Sequence, residues 1–382
     1  MRFQVSILLL SVVYSCTAVA PTFKLPLIRS IVQKAGHLGQ PVVNYYAPVS
    51  IGTPKKTFNI QFDVDFNELF VPHYEFFGSK LHHKKGFQCK ESKSCTKTDR
   101  KVKIEYQQCE LKGKPYQDLI SFDTAQPYLR HSFEQKFLAI SDASNSQFRH
   151  LEVDGFFGLS PSRQSTSGSG SESLLYSLRQ AALIENMQFS FWFNPVHDAN
   201  QGGELTFGGV DPNRYTGQIY WHQLEPSILE PMQDRWALNL QAVSLGAETI
   251  TLGYNPFQYN YRAILSTGVS EIYGPANDVY RIYALLNVNM SGHSEFVPMI
   301  DCQRIHQLPI LQFTIDGLSY PVLSTNYVRK IDVGRKSESC YIAILPSREY
   351  NRYQWVLGTN FLSAYYSIFD MVNRQVGFAT LR

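Results

Sequence analysis

Apolar and polar residues alternate over many short stretches of this chain, which is the pattern of β-strands with one buried face. A clear example is the run Phe58-Asn59-Ile60-Gln61-Phe62-Asp63. It predicts a half-buried strand that ends at Asp63, with the Asp63 side chain facing away from the phenylalanines. The preceding Ile51-Gly52-Thr53-Pro54 predicts a turn between two strands. Because similar Tyr-, Phe-, Val- and Ile-rich segments recur between turns, we expect mostly β structure.

Two other segments carry apolar residues at helical spacing. One predicts a short helix with an apolar face made of Leu174, Leu178, Ala181 and Ala182. The other predicts a helix that begins at Asn277 and buries Val279, Ile282 and Leu286. The stretch from Ser160 to Ser173 is rich in Ser and Gly, so we expect a flexible surface loop there.

The chain also contains an internal repeat. A tripeptide, which we call a corner, is followed at nearly equal spacing by two hydrophobic residues and a glycine. The first copy is Asp63-Val64-Asp65 with Phe156-Phe157-Gly158, and the second is Ser266-Thr267-Gly268 with Val356-Leu357-Gly358. Such a repeat predicts two related lobes, residues 43–218 and 219–382, with a boundary near Gln218 to Glu225.

The composition is that of a packed globular protein. Of the 382 residues, 44% are hydrophobic, 14% aromatic and 18% charged,. The formal net charge of +3 is too small to imply a nucleic-acid partner,. The segment from Lys80 to Lys103 is nevertheless strongly basic, which is typical either of a solvated loop or of a patch that binds a polyanion.

The first 20 residues have the pattern of a secretory signal peptide, with Arg2 before a short apolar run and small residues after it,. That run is too short to span a bilayer, so we expect no membrane span. The mature protein is therefore expected to be secreted or lysosomal. The single sequon for N-glycosylation, at Asn289, fits that route,.

Six cysteines are present, and Cys16 falls in the predicted signal peptide. In an oxidising compartment Cys89 and Cys95 are close enough for a local disulfide, and a bond between Cys302 and Cys340 would close a larger loop. Cys109 is then left as a free thiol or as an intermolecular partner. We expect neither a metal nor a cofactor, because no cluster of ligands has metal-site spacing and no phosphate-binding loop occurs.

Several stretches resemble the pepsin-like aspartic proteases, and together they span most of residues 43 to 382. They are YYAPVSIGTP, DGFFGLS, GGELTFGGVDPNRYTG, AILSTGVSEIYGP, CQRIHQLPILQFTIDG and VLGTNFLSAYYSIFD. The resemblance implies a monomer with two mostly β lobes and a central cleft that holds a peptide or protein ligand. Residues 21–42 resemble a shortened form of the family's propeptide. The two proposed disulfides also match family disulfides.

The family's chemistry needs two facing carboxylates that share one proton. The first catalytic position corresponds to Asp63, but the second corresponds to Ser266. A serine hydroxyl cannot act as the general base that takes a proton from water, and no histidine is placed to activate Ser266 as a nucleophile. Losing one member of such a pair costs on the order of 10²–10⁴-fold or more in rate.

The surroundings of the first corner also depart from the family pattern, in which the sequence is Asp-Thr-Gly-Ser. Val64 lacks the hydroxyl that ties the two corners together, although Thr267 keeps its counterpart. Asp65 replaces a glycine and Phe66 replaces a serine. Asp65 lies on the same loop as Asp63, so we do not expect it to supply the second carboxylate from across the cleft.

The flap, a hairpin that covers the cleft in this family, normally carries the sequence Tyr-Gly-Thr-Gly. Here it resembles Tyr106-Gln107-Gln108-Cys109, so Tyr106 is kept while both glycines are lost. Three hypotheses follow. The protein is a pseudoprotease that retains a binding cleft, an aspartic-type endopeptidase with an atypical site, or an extracellular protein that binds a polyanion.

Overall fold

A computed structural model of the chain describes residues 22–32, 41–76, 85–98, 100–107, 109–122, 132–144, 152–165, 169–195, 201–225, 234–252, 261–288, 298–331, 339–347 and 354–382. The predicted signal peptide, the basic residues 80–84 and the sequon at Asn289 lie outside the described residues. Within the described ranges, no helix is long and apolar enough to cross a membrane.

Strands make up most of the regular structure, as the alternating pattern predicts. The first half of the chain forms β1 (Phe23–Val32), β2 (Val42–Ile51), β3 (Lys56–Asp63), β4 (Leu69–Pro72), β5 (Thr96–Lys97), β6 (Val102–Tyr106), β7 (Cys109–Phe122), β8 (Phe133–Ala143), β9 (Gly155–Gly158), β10 (Gln188–Phe193), β11 (Gly203–Phe207) and β12 (Tyr215–Gln223). The second half forms β13 (Ala237–Leu245), β14 (Glu248–Leu252), β15 (Tyr261–Leu265), β16 (Ile272–Gly274), β17 (Met299–Ile300), β18 (Leu311–Ile315), β19 (Leu318–Val322), β20 (Val328–Ile331), β21 (Ser339–Ile342), β22 (Ile344–Pro346), β23 (Gln354–Leu357), β24 (Tyr365–Asp370) and β25 (Gln375–Leu381).

Helices are few and short. They are α1 (Leu174–Gln180), α2 (Ala276–Leu285), α3 (Ser324–Tyr327) and α4 (Thr359–Leu362), with 3₁₀ turns at Cys89–Glu91 and Cys302–Gln307. Both predicted helices are confirmed, and α2 buries Val279 and Ile282 as expected. The predicted apolar face of α1 is too long, because the helix ends at Gln180 and Ala182 turns to a positive φ of 54°.

In the described part of the chain, the largest sheet has 14 strands and draws on both ends of the sequence. Its order is β12-β25-β24-β10-β11-β1-β2-β3-β9-β4-β8-β7-β5, with β6 also paired to β7. A second sheet has the order β19-β18-β13-β15-β23-β16-β22 with β14 on β13, and a third has the order β17-β21-β20. The predicted lobe boundary falls at the end of β12, whose partner β25 comes from the end of the chain.

The internal repeat corresponds to one strand arrangement that occurs twice. In the first half β3 runs parallel to β9, with Asp63 opposite Gly158, and β4 runs antiparallel to β9. In the second half β15 runs parallel to β23, with Leu265 opposite Leu357, and β16 runs antiparallel to β23. In each half, the strand that leads to the corner therefore pairs with the hydrophobic-hydrophobic-glycine segment of that half.

The glycine that ends each repeat is required by a close backbone approach. A Cβ atom on Gly158 would lie 2.4 Å from the Phe66 carbonyl oxygen, and one on Gly358 would lie 2.2 Å from that of Glu271. Backbone hydrogen bonds hold the chains at this distance, from Gly158 N to Glu68 O at 2.8 Å and from Thr359 N to Val269 O at 3.0 Å. The segment after each corner is thereby fixed against the neighbouring strand.

The prediction that β3 is half-buried is wrong, because both of its faces are covered near Asp63. The Gln61 side chain is buried and donates from Nε2 to the Thr267 carbonyl oxygen at 2.9 Å. The polar face of β3 therefore lies against the second corner instead of facing solvent.

The Ser- and Gly-rich stretch before α1 is also different from the expected flexible surface loop. Ser169 and Ser171 are buried, and the Ser169 hydroxyl donates to Glu68 Oε1 at 2.8 Å. Ser165 donates to the same carboxylate oxygen. Because a buried carboxylate needs donors in place of water, the serines serve to solvate Glu68 inside the protein.

Candidate active site

The two corners meet where the two halves face each other. Asp63 at the end of β3 is 2% exposed and Ser266 after β15 is 3% exposed. The Ser266 hydroxyl donates to Asp63 Oδ1 over 3.3 Å. The structure thus brings together the two residues that the sequence places at the family's catalytic positions.

Four donors from three segments surround the Asp63 carboxylate. Oδ1 accepts from the Asp65 and Gly268 backbone N–H groups, each at 3.0 Å, as well as from Ser266. Oδ2 accepts from the Tyr106 hydroxyl at 2.8 Å. Burial raises the pKa of Asp63, while these hydrogen bonds act in the opposite direction. The carboxylate is therefore solvated by backbone and hydroxyl donors, and in the part of the chain that the structure describes no second carboxylate forms a hydrogen bond with it to share a proton,.

One hydroxyl ties the two corners together. Thr267 Oγ1 donates to the Phe62 carbonyl oxygen at 2.6 Å and accepts from the Val64 backbone N–H at 3.1 Å. Because Val64 has no hydroxyl, the reciprocal tie from the first corner is missing. The remaining tie satisfies two buried backbone groups and fixes the distance between the corners.

Gly268 allows the second corner to approach Asp63. A Cβ atom on Gly268 would lie 2.1 Å from Asp63 Oδ2 and 2.8 Å from the Tyr106 hydroxyl oxygen. Any side chain at this position would displace the carboxylate or the tyrosine. Gly268 therefore allows the second corner to lie in direct contact with the Asp63 carboxylate and the Tyr106 hydroxyl.

Asp65 does not replace the missing carboxylate, because it faces a cation. Its Oδ1 lies 3.3 Å from Nε of Arg235, and the two side chains are 19% and 20% exposed. Arg235 precedes Trp236, whose indole N–H donates to the Leu159 carbonyl oxygen at 2.8 Å and links the two halves. Sequence reasoning missed Arg235. The only signal for it was an acidic residue in a glycine position, which calls for a nearby cation.

The flap, formed by β6 and β7, contacts Asp63 of the first corner and Gly268 of the second. The Gln107 side chain donates from Nε2 to the Gly268 carbonyl oxygen at 2.9 Å and to the Tyr106 hydroxyl at 3.1 Å. Gln107 adopts a φ of +48°, a conformation that glycine adopts without strain,. Gln108 lies outside the described residues. The tip of the flap thus contacts the second corner directly.

The ring of Tyr106 is held by an aromatic cluster. It packs edge-on against Phe66 at a centroid distance of 4.7 Å and against Phe70 at 5.5 Å, and it lies 4.8 Å from Phe156. Burial also raises the pKa of Tyr106 well above its ordinary value, so its hydroxyl stays protonated and remains a donor. Phe66, which replaces a serine of the family pattern, therefore helps to hold the flap down on Asp63.

The five cysteines that follow the predicted signal peptide form two disulfides and one free thiol. Disulfides join Cys89 to Cys95 and Cys302 to Cys340, as expected. Cys109 is a buried free thiol at the start of β7, so the alternative of an intermolecular bond would require this strand to open. Among the residues whose placement is described, no group of three or more His, Cys, Asp or Glu side chains could hold a metal ion.

Two related β halves, each presenting a corner at their junction beneath a hairpin flap, define the class of bilobal aspartic protease folds. The sequence matches the eukaryotic aspartyl protease family over residues 44–381, and the chain belongs to that family.

Named relatives are similar over most of their length. The chain is 29% identical to Aspartic protease 3 of Caenorhabditis elegans over 88% of this chain and 82% of the relative. It is 29% identical to Pepsin F of Oryctolagus cuniculus over 88% and 80%, respectively. It is 26% identical to a Pregnancy-associated glycoprotein of Equus caballus over 88% and 81%.

We predict that Thr267→Val destabilises the protein by about 1–3 kcal/mol, because the Phe62 carbonyl and the Val64 N–H lose their buried partner. The free energy of unfolding, measured by chemical denaturation, gives the effect. The matched control is Thr314→Val, the same substitution at a partly buried position on β18. Equal stability of the two variants would contradict the role of Thr267 as the tie between the corners.

Asp63→Asn should change the pH dependence of stability. Burial raises the pKa of Asp63 in the folded state, so its ionisation costs stability as pH rises from about 4 through the raised value,. The variant lacks this titration, so its stability relative to the wild type should increase over that interval. Denaturation of both proteins at steps from about pH 3 to about pH 7 measures the difference.

The variant Glu271→Gln is a positive control for this pH effect. Burial also raises the pKa of Glu271, so Glu271→Gln should show a change of the same sign. The wild type contains both carboxyls, whereas Asp63→Asn lacks the first and Glu271→Gln lacks the second. If the free energies of unfolding of the wild type and of Asp63→Asn changed equally with pH, ionisation of the buried Asp63 would not destabilise the fold and the prediction would be wrong.

Proposed function

We propose that the protein is a catalytically inactive aspartyl protease homologue that retains its cleft as a binding groove for a peptide or protein segment. The observation that carries the proposal is Ser266, whose hydroxyl occupies the place beside Asp63 where the second carboxylate is needed. Ser266 can donate a hydrogen bond to Asp63. It cannot hold the negative charge or the shared proton on which the family's hydrolysis depends.

The other carboxylates near the corners have different partners. Asp65 is paired with Arg235. Glu271 follows the second corner but is buried and accepts a hydrogen bond from the Tyr341 hydroxyl at 3.3 Å. Glu68, in the equivalent place after the first corner, is held by serine hydroxyls. These partners support the view that none of the three completes a catalytic pair.

A ligand that reaches Asp63 must first displace the flap. The Tyr106 hydroxyl is bonded to Asp63 Oδ2, and Gln107 is bonded to Gly268 on the other corner. Entry therefore requires the Tyr106 ring to leave its aromatic cluster. We propose that binding is coupled to this opening, so the affinity for a peptide is lowered by the free energy needed to lift the flap.

The compartment belongs to the same proposal. Two disulfides favour an oxidising environment, in keeping with the predicted signal peptide,. We propose that the protein is secreted or delivered to the lysosome, and that it meets its peptide or protein partner there.

The decisive test is hydrolysis of a broad peptide library by the purified mature chain, from acid to neutral pH. We expect no cleavage above the level of an Asp63→Ala control, because one carboxylate cannot provide both the base and the acid. Cleavage by the wild type that Asp63→Ala abolishes would overturn the proposal in favour of an endopeptidase with an atypical site.

A series of variants toward the family pattern extends this test. Ser266→Asp restores the second carboxylate. It leaves Phe66 packed against Tyr106 of the flap and Asp65 in an ion pair with Arg235. We therefore expect measurable hydrolysis only when Asp65→Gly and Phe66→Ser are added. Full activity of Ser266→Asp alone would show that the flap and the ion pair do not restrict the cleft.

A second candidate function rests on the basic segment. Its described cationic residues are all exposed, namely Lys85, Lys90, Lys93, Lys97, Arg100, Lys101 and Lys103. Lys103 is 3.5 Å from Glu110, which compensates part of this charge. Exposed cations around the Cys89–Cys95 loop suit a polyanion such as a sulfated polysaccharide.

Retention on immobilised heparin tests this candidate. We expect elution at a salt concentration that falls when Lys93, Lys97 and Lys101 are changed to Gln, because surface attraction is screened by salt and depends on these charges. The matched control changes the same number of exposed cations elsewhere, at Lys136, Arg281 and Lys330. Equal elution of the two triple variants would exclude the segment as a specific polyanion site.

A further inference from the structure

The segment that resembles a shortened propeptide forms a strand inside the largest sheet. Residues Phe23 to Leu27 of β1 pair with β11, and residues Ile28 to Val32 pair with β2. β1 is therefore the connection between these two strands. On one side the sheet continues from β11 to β10 and β24, and on the other it continues from β2 to β3 and Asp63.

The inner face of β1 is part of the hydrophobic core. Phe23, Leu25 and Leu27 are 1%, 1% and 2% exposed. The Phe23 ring lies 5.0 Å from the ring of Phe207 and 5.5 Å from that of Phe122, so it joins side chains from two other strands. All three side chains are therefore almost completely buried in the core.

The outer face of β1 is also anchored. Lys24 forms an ion pair with Asp211 and another with Glu204, whose carboxylate is 3.6 Å away. Arg214 binds Glu204 at 3.0 Å from the other side, so Lys24 is one member of a network of alternating charges. A strand that only covered the cleft would not need these contacts on the far side of the sheet.

We propose that residues 22–32 are a permanent strand of the mature protein and are not removed as a propeptide. The protein then has no latent form that cleavage of this segment converts into another state. Because the hydrogen-bond partners of Asp63 all come from the two corners and the flap, a retained β1 leaves the approach to Asp63 as it is.

The segment between β1 and β2 is a poor substitute for β1. Cleavage between β1 and β2 would leave a new N-terminus with at most residues 33–41, QKAGHLGQP, ahead of Val42. This segment offers only Ala35 and Leu38 as substitutes for three large buried side chains. β2 itself is already paired with β3 and cannot shift into the gap. Removal would therefore leave β11 and β2 with unpaired backbone groups and open core positions.

The N-terminus of the natural mature chain provides the first test. The full chain is produced in a secreting eukaryotic cell, and the purified product is analysed by intact mass and N-terminal sequencing. We expect a chain that begins before Phe23. A folded product that begins at residue 33 or later would overturn the proposal.

A nicked protein provides the second test, which does not depend on cellular proteases. A specific protease site is placed within residues 34–39 and cut after folding. We expect the N-terminal fragment to co-elute with the rest of the chain in gel filtration and to separate only in denaturant. Release of the fragment under native conditions, with the remainder still folded, would show that β1 is dispensable.

Two substitutions in the nicked protein test whether the buried face of β1 is what holds the N-terminal fragment. Leu25→Asp places a charge in the core and should release the fragment, whereas Ile28→Asp changes a side chain that is 38% exposed and should leave it bound. Equal retention of both fragments would contradict the role of the buried face. The outcome is independent of catalysis, so it does not depend on whether the protein hydrolyses peptides.

Discussion

The burial of one carboxylate at the junction of two halves is the constraint on which the site depends. Asp63 has no cationic partner among the described residues, so its two oxygens are solvated by donors that the protein brings to it,. Those donors come from the first corner, the second corner and the flap, which together form a shell around the carboxylate. The closed position of the flap is therefore part of how this acid is accommodated, and it also determines what can enter the cleft.

The departures from the family pattern form a consistent set. Ser266 removes a charge, Phe66 gives the flap tyrosine an aromatic contact, and Asp65 gains Arg235 as a counterion. Each of these three side chains contacts a residue of the first corner, the flap or the junction between the halves. The parts that stay, such as Thr267 and Gly268, are those that fix the geometry of the corners.

The fold followed from the sequence where local pattern and structure coincide. The repeated tripeptides and glycines located the two strand arrangements, and helical spacing located α1 and α2. The burial of β3 at the junction of the two halves could not be predicted from the sequence. The alternation around Gln61 does not show that the second corner covers the polar face of this strand. The partners of Asp65 and Glu68 were also hidden, since each lies far away in the chain. The likeness of residues 21–42 to a propeptide did not show that β1 belongs to the largest sheet, because its partner β11 lies far along the chain.

The largest sheet has a consequence for the order in which the protein can be completed. β10 receives its partner β24, and β12 receives β25, only from the last residues of the chain. During synthesis these two strand edges stay open until residues 365–381 have been made. Such distant pairings make folding slow and late. The two halves therefore fold as one cooperative unit, and the edges of β10 and β12 are the last parts of the largest sheet to be covered.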